Sequence, residues 1–365
     1  MVDKRVEKLA QLCVQYSVAV KPKEKVIIRG HAAAAPLIGE IYKECLLRDA
    51  YPWPQTSLGI DYVFFKHAKD HQLKYVSPFD KFIYENVDVN INILCEMNTR
   101  RLTNIQPSKV RTQRAAQREM IEAYYKRVAE GKARWTLFPF PSEAMAQEAS
   151  MAIQEYENFV YSSCLVDKKD PIAEWKKIHK EQEHICSFLD KATKIRMVGE
   201  DTDLSFNVKG RKWINCGGDK NMPDGEVFTS PLENSANGTI RFTYPGIFMG
   251  REVEDITLKF KKGKVIKATA AKGEELLKEI LKIEGASRIG ETAIGTNYSI
   301  TRFTKNMLFD EKMGGTIHMA LGNGFPDAGS KNKSAIHWDI LKNMKKGGEI
   351  YADGHLFYKN GKFLN

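Results

Sequence analysis

The texture of the chain changes near residue 190, and that change constrains the fold more than any other feature. Before it, helical and extended periods alternate. Val6, Leu9, Ala10 and Cys13 have the spacing of an amphipathic helix over about residues 3–18. The extended run EKVIIRG follows, then a helix from near Ala33 (APLIGEIYKECLLRDA), the extended YPWPQTSLG, helices to the mid-80s and the strand-like VDVNINILCE. A long polar helix at about 107–130, the strand-like WTLFPFP and a long helix beginning at DPIAEWKK continue the pattern. Beyond 190 come short strands and tight Gly-rich turns (KIRMVG, TDLSFNVKG, GTIRFTY, DITLKFKKGKVIKATA), with one clear helix at about 272–284. Alternation predicts an open α/β sheet, whereas clustered strands predict an α+β unit. The expected fold is therefore α/β in class: an N-terminal open-sheet domain over 1–190 and a strand-rich, metal-binding α+β domain over 191–365. A chain of 365 residues is long enough for two cores.

Composition narrows the function classes. No apolar run approaches the length of a membrane span, and the N-terminus lacks the apolar segment of an export signal, so a soluble, cytoplasmic protein is expected. The six cysteines are scattered without a CxxC pair, which fits thiols in a reducing compartment and sets zinc–thiolate chemistry aside. A net charge of +10 raises nucleic acid as a partner. The lysines are nonetheless dispersed, as in LKFKKGKVIK, with no basic helix, aromatic RNA-binding motif or zinc finger. No specific nucleic-acid partner is expected, and the charge reads as a solvated surface.

The chemistry concentrates late in the chain. In KSAIHWDI a strand would send His337 and Asp339 to one face and Trp338 to the other. Imidazole and carboxylate side by side make half of a divalent-metal site, although two polar residues on a solvated strand face have the same pattern. DEKMGGTIHMALGNG adds Glu311 and His318 across a glycine pair that lets the chain fold back. Taken alone, a histidine among apolar neighbours is as readily a hydrogen-bonded core residue. Asp310 is a neighbour that would orient ligands. Glu291 in GETAIGTN and Glu226 in NMPDGEVFTSP each read as a carboxylate at the lip of a turn, after a glycine. Four carboxylates gathered in one pocket cannot all stay ionised unless cations compensate, and two divalent ions would balance Glu226, Glu291, Glu311 and Asp339. Such a pair activates water for hydrolysis.

In ordered series these phrases resemble the thermophilic metalloaminopeptidases of the aminopeptidase T, aminopeptidase S and PepS type. The resemblance runs from VKPKEKVIIRGHAAAAPLIGEIYKECLLRDAY through DPIAEWKKIHKEQE, TDLSFNVKGRKWINCGGDKNMPDGEVFTSPLENSANGTI and RIGETAIGTN. It continues through LFDEKMGGTIHMALG, NKSAIHWDI and IYADGHLFYKNGKF, nearly the whole chain. It implies metal ligands at Glu226, Glu291, Glu311, His318, His337 and Asp339, and an activity that releases N-terminal amino acids from peptides. It also implies two divalent ions (cobalt, zinc, magnesium or manganese) and a homodimer.

The segment after GTIH departs from the pattern, with GSKN where the family tends toward GGxN and, of more consequence, a changed aromatic residue. Where the family has a tyrosine seven residues after the histidine of GTIH, this chain has Phe325. The ring is kept, but the hydroxyl that could donate to an oxyanion is gone. The expected function is two-metal aminopeptidase hydrolysis with Glu291 or Glu311 as general base, Glu291 being favoured. The alternative is a metal-binding relative with weak or no turnover that acts as a peptide-binding dimer.

Overall fold

In the computed structural model, which describes residues 3–364, the chain forms two compact units. One holds the residues up to Ile172 together with Gly218–Pro223, and the other holds Ala173–Gly217 and the residues from Asp224.

The first unit is built on four parallel strands, β1 (Lys25–His31), β2 (Tyr51–Ser57), β3 (Val89–Leu94) and β4 (Arg134–Pro139), in the order β2-β1-β3-β4. Parallel neighbours require crossovers, and helices supply them. These are α2 (Ala35–Leu47) between β1 and β2, then α3 (Asp61–His67), α4 (Asp70–Leu73) and α5 (Pro78–Asn86) before β3, and α6 (Pro107–Ala129) before β4. The N-terminal helical pattern is realised as α1 (Lys4–Leu12) running into a single wide turn at Cys13–Ser17. Asp3 caps it by accepting from the Arg5 amide at 2.8 Å. Val26, Ile27 and Ile28 are fully buried, which is why this run reads as a continuous apolar stretch rather than an alternating one. Two helices, α7 (Glu143–Glu148) and α8 (Ile153–Ser163), complete the unit.

The second unit begins in α9 (Pro171–Leu189) and is dominated by antiparallel strands. An eight-stranded sheet contains β5 (Lys194–Gly199), β6 (Thr202–Asn207), β9 (Asn237–Arg241), β12 (Thr257–Lys261), β13 (Lys264–Thr269), β17 (Glu349–Ala352), β18 (His355–Lys359) and β19 (Lys362–Phe363). A five-stranded sheet contains β7 (Ile214–Cys216), β8 (Glu226–Thr229), β14 (Ile289–Gly295), β15 (Thr316–Gly322) and β16 (His337–Asn343), in the order β16-β15-β14-β8-β7. The short pair β10 (Gly246–Phe248) and β11 (Arg251–Val253) and the helices α10 (Glu274–Leu281) and α11 (Met307–Asp310) lie among them. The unit's apolar core unites Ile195, Met197, Leu204 and Phe206 of the larger sheet with Val227, Ile294, Ile317, Met319, Leu321, Trp338 and Ile340 of the smaller. The expected fold class is therefore what the chain adopts: an open parallel sheet with helices, then a strand-rich α+β unit.

No described helix is long and apolar enough to cross a membrane.

Candidate metal centre

Alternation along the smaller sheet separates core from chemistry. Val227, Ile294, Ile317, Met319, Leu321, Trp338 and Ile340 face the core, so the residues between them face the other way. Glu226 on β8, Glu291 on β14, His318 on β15, and His337 and Asp339 on β16 occupy that second face. Register brings them together: Glu291 pairs with Ala320, which pairs in turn with Asp339, while His318 pairs with Ala293 and Gly295 with Glu226. The intervening positions are Ala or Gly, so no bulky side chain separates the ligating groups.

Two glycines explain how the glutamates reach this face. Gly225 has φ +112°, and a Cβ there would lie 2.8 Å from the Cβ of Asn297. At Gly290 a Cβ would lie 2.3 Å from the Asn323 carbonyl oxygen, and the β14–β15 register shifts between Ile289 and Glu291. Glu226 thus opens β8 directly after the turn, whereas Glu291 sits inside β14, where the glycine before it marks a bulge. Glu311 arrives separately, as the C-cap residue that follows α11.

Ring nitrogens and carboxylates converge closely. Nε2 of His318 is 3.3 Å from Glu226 Oε2, 3.6 Å from Glu291 Oε1 and 4.0 Å from Asp339 Oδ1. Nε2 of His337 is 3.0 Å from Glu291 Oε2 and 3.5 Å from Asp339 Oδ1. Potential ligand atoms form three sets within the site: Glu226–Glu291–His318, Glu291–His337–Asp339 and Glu311–His318–Asp339. All six sequence-derived candidates belong to at least one. A fourth set joins Cys216 to Asp224 and Glu226, a proximity that cysteine spacing could not reveal.

The donor set fits a divalent cation. Glu226 Oε2 and Asp339 Oδ1 are buried and make no hydrogen bond of good geometry, their nearest partners being the ring nitrogens at 3.3 and 3.5 Å, so both keep acceptor capacity for a cation. Nδ1 of His337 is 2.7 Å from the Asn323 carbonyl oxygen. That bond fixes Nδ1 as the donor and aims Nε2 at the carboxylates, an outer contact typical of metal-ligating histidines.

Protonation follows from the crowding. Burial alone pulls His318 and His337 down, but bonding to carboxylates and their charge outweigh it; His337 is held up to about 11 and His318 above its ordinary value. Burial pushes Glu291 and Asp339 up, yet the histidines outweigh it and leave both below the usual carboxylate range. Glu226 is raised, burial exceeding the relief from Lys312 and His318.

Lys312 was invisible as a site residue in DEKMGG. It is fully buried, its Nζ lying 3.3 Å from Glu226 Oε1 and also contacting Glu311 Oε1. One ammonium therefore already offsets part of the four-carboxylate charge. Gln182 of α9 is the other unforeseen residue: its amide donates to the Cys216 carbonyl oxygen at 3.1 Å and the Glu226 carbonyl oxygen at 2.7 Å, pinning the start of β8. Asp310 makes its bonds to Thr304, at 2.7 and 2.9 Å, rather than to any of the six. Phe325 stands beside the site, its ring centroid 5.1 Å from that of His337 and 5.1 Å from that of Phe228.

Comparison with known proteins agrees in extent. A profile described as Thermophilic metalloprotease (M29) matches residues 2–363. Aminopeptidase 2 of Geobacillus stearothermophilus is 26% identical over 382 residues, spanning 93% of this chain and 92% of that protein. Aminopeptidase T of Thermus thermophilus is 24% identical over 396 residues, 96% of each. The solved structure of wild-type AmpT from Thermus thermophilus shares the fold, with a TM-score of 0.85 over 99% of both chains at 20% identity. Matched along almost its entire length, the chain belongs to the thermophilic metalloprotease (M29) family.

Proposed function

We propose that the chain is a metal-dependent aminopeptidase that releases N-terminal amino acids from peptides at a centre within residues 191–365. The observation that carries this reading is the convergence of Glu226, Glu291, Glu311, His318, His337 and Asp339, with acceptor oxygens left unbonded there. Similar proteins known as aminopeptidases support the peptide substrate.

Glu291 belongs to both the Glu226–His318 set and the His337–Asp339 set, so it would contribute a ligand to a metal held by either. Glu311, with His318 and Asp339, completes the donors. Carboxylate and imidazole donors suit cobalt, zinc, manganese or magnesium. When bound, such ions supply Lewis-acid polarisation of the scissile carbonyl and an acidified water.

The chain's own residues provide the proton transfers. Both oxygens of Glu291 face histidine nitrogens, whereas the Glu311 side chain is 19% exposed. Glu311 is thus the better general base: its carboxylate takes a proton from the attacking water and returns it to the departing amide nitrogen. Lys312 orients that carboxylate and Glu226 together. Phe325 shields His337 but donates nothing to the oxyanion.

The family resemblance supports a homodimer, and six cysteines in thiol form fit the cytoplasm. The decisive experiment strips the protein of metal, restores cobalt, zinc, manganese or magnesium singly, and measures release of N-terminal residues from aminoacyl chromogenic substrates and short peptides. Metal-restored release is expected; its absence with every ion would overturn the reading in favour of a metal-binding protein without turnover.

A further inference from the structure

The first unit contains a cavity of about 880 Å³ that the hydrolytic reading does not use. It opens at the carboxyl ends of β1, β2 and β3, where Arg29, His31, Gln55, Ser57 and Asn92 line it. β1 lies between β2 and β3, so the chain leaves β1 toward one edge of the sheet and later returns to its other side. That reversal is the place where open α/β sheets receive ligands, and the volume is in the range of small-molecule sites.

The lining is unusual for a parallel sheet, whose strands are ordinarily apolar on both covered faces. Gln55, Arg29 and Asn92 stand in register across β2, β1 and β3, and Ser57 pairs with His31 one row further on. The Arg29 side chain is only 18% exposed. Its Nε donates to Gln55 Oε1 at 2.8 Å and its Nη1 to Tyr84 Oη at 2.6 Å, both neutral acceptors. Among the described residues, the only carboxylate within 4.0 Å of this guanidinium is Asp80, itself at 4.0 Å.

The other two arginines of the lining differ. Arg100 is paired with Glu148, and Arg101 with Asp61 and with Glu96, the cavity's own carboxylate. Arg29 therefore retains N–H groups and a charge without a close counter-ion, in a fork that matches carboxylate or phosphate oxygens. Nδ1 of His31 accepts from the Ala33 amide at 3.1 Å, which leaves Nε2–H as a second donor.

We propose that this crevice binds a small-molecule oxyanion, a carboxylate or phosphate group gripped by the Arg29 guanidinium with His31 and Asn92 donating beside it. The site belongs to the first unit alone and does not rest on the aminopeptidase reading.

Isothermal titration of the full-length protein at low ionic strength, with inorganic phosphate and separately with succinate, tests the site. Saturable binding of at least one is expected, and whichever binds more tightly identifies phosphate or carboxylate as the recognised group. Arg29→Gln should weaken that binding about tenfold or more, the cost of one charge-assisted pair. Ser57→Tyr, which fills the cavity without touching the bonds of Arg29, should weaken it as well, and a circular-dichroism melt verifies that each variant is folded. Loss of binding when metals are chelated would place the anion at the metal centre and overturn the proposal. So would no saturable binding, or equal affinity in the wild type and a folded variant.

Discussion

The ammonium of Lys312 lies 3.3 Å from Oε1 of Glu226, fully buried inside the cluster of carboxylates that would hold a metal. It is a covalently attached cation in a site that recruits mobile ones. In the metal-free protein it stabilises the fold; once ions arrive, it repels them.

Lys312→Met should therefore move two quantities in opposite directions. Removing one partner of a buried pair costs about 3–5 kcal/mol, so the metal-free protein should melt earlier. The rise in Tm on adding metal should be larger than in the wild type, because the repulsion is gone. Thermal melts with and without saturating zinc measure both, and an unchanged metal-free Tm would refute the role assigned to the ammonium.

Glu291→Gln should remove a ligand that belongs to two of the sets, as His318 and Asp339 also do. Bound metal, counted by plasma mass spectrometry after gel filtration, should fall, and activity should drop by more than the roughly 10–100-fold typical of losing an outer-shell partner. Full metal content in the variant would show that Glu291 is not a ligand.

Phe325→Tyr places a hydroxyl on a ring that already lies 5.1 Å from the His337 ring. If the lost donor limits the rate, kcat should rise by up to about a hundredfold, with KM much less affected. An unchanged or lower kcat would mean that another group already stabilises the oxyanion.

Metal binding should strengthen as pH rises. His318 and His337 are held protonated by their carboxylate neighbours, His337 up to about 11, and an incoming ion must displace a proton from each. Calorimetry in buffers of different ionisation enthalpy should detect proton release; none would contradict the assignment.

The metal-free fold should respond oppositely at alkaline pH. The raised histidines contribute stability fully present below about 6.5 and lost as pH rises toward their folded values. Glu226, also raised, contributes stability present below about 4.3 and lost as pH rises from there toward its folded value, opposing part of the effect of the lowered carboxylates. Glu291 and Asp339, lowered, contribute stability present above about 4.3 and lost as pH falls. The metal-free Tm should thus be highest between about 4.3 and 6.5. A flat melting profile from pH 5 to 9 would exclude this account.

Local period carried much of the architecture. The apolar run VIIRG, the polar helix ending at Ala129 and the alternation of His337, Trp338 and Asp339 were legible because strand and helix spacing are properties of neighbours in the chain. The six candidate ligands are likewise legible in the sequence, through their residue types and the family resemblance of the surrounding phrases. Distance in sequence hid the rest. Ala320 stands between Glu291 and Asp339 only because three strands adopt one register, and the bulge at Gly290 depends on the approach of the Asn323 carbonyl. Lys312 reads as an ordinary charged residue until α11 folds it inward against Glu226, and Gln182 gains its role from a strand that begins 44 residues later. Spacing along the chain carries period and chemistry; cross-strand register and burial arise from long-range packing, and these turned separate acids and histidines into one site.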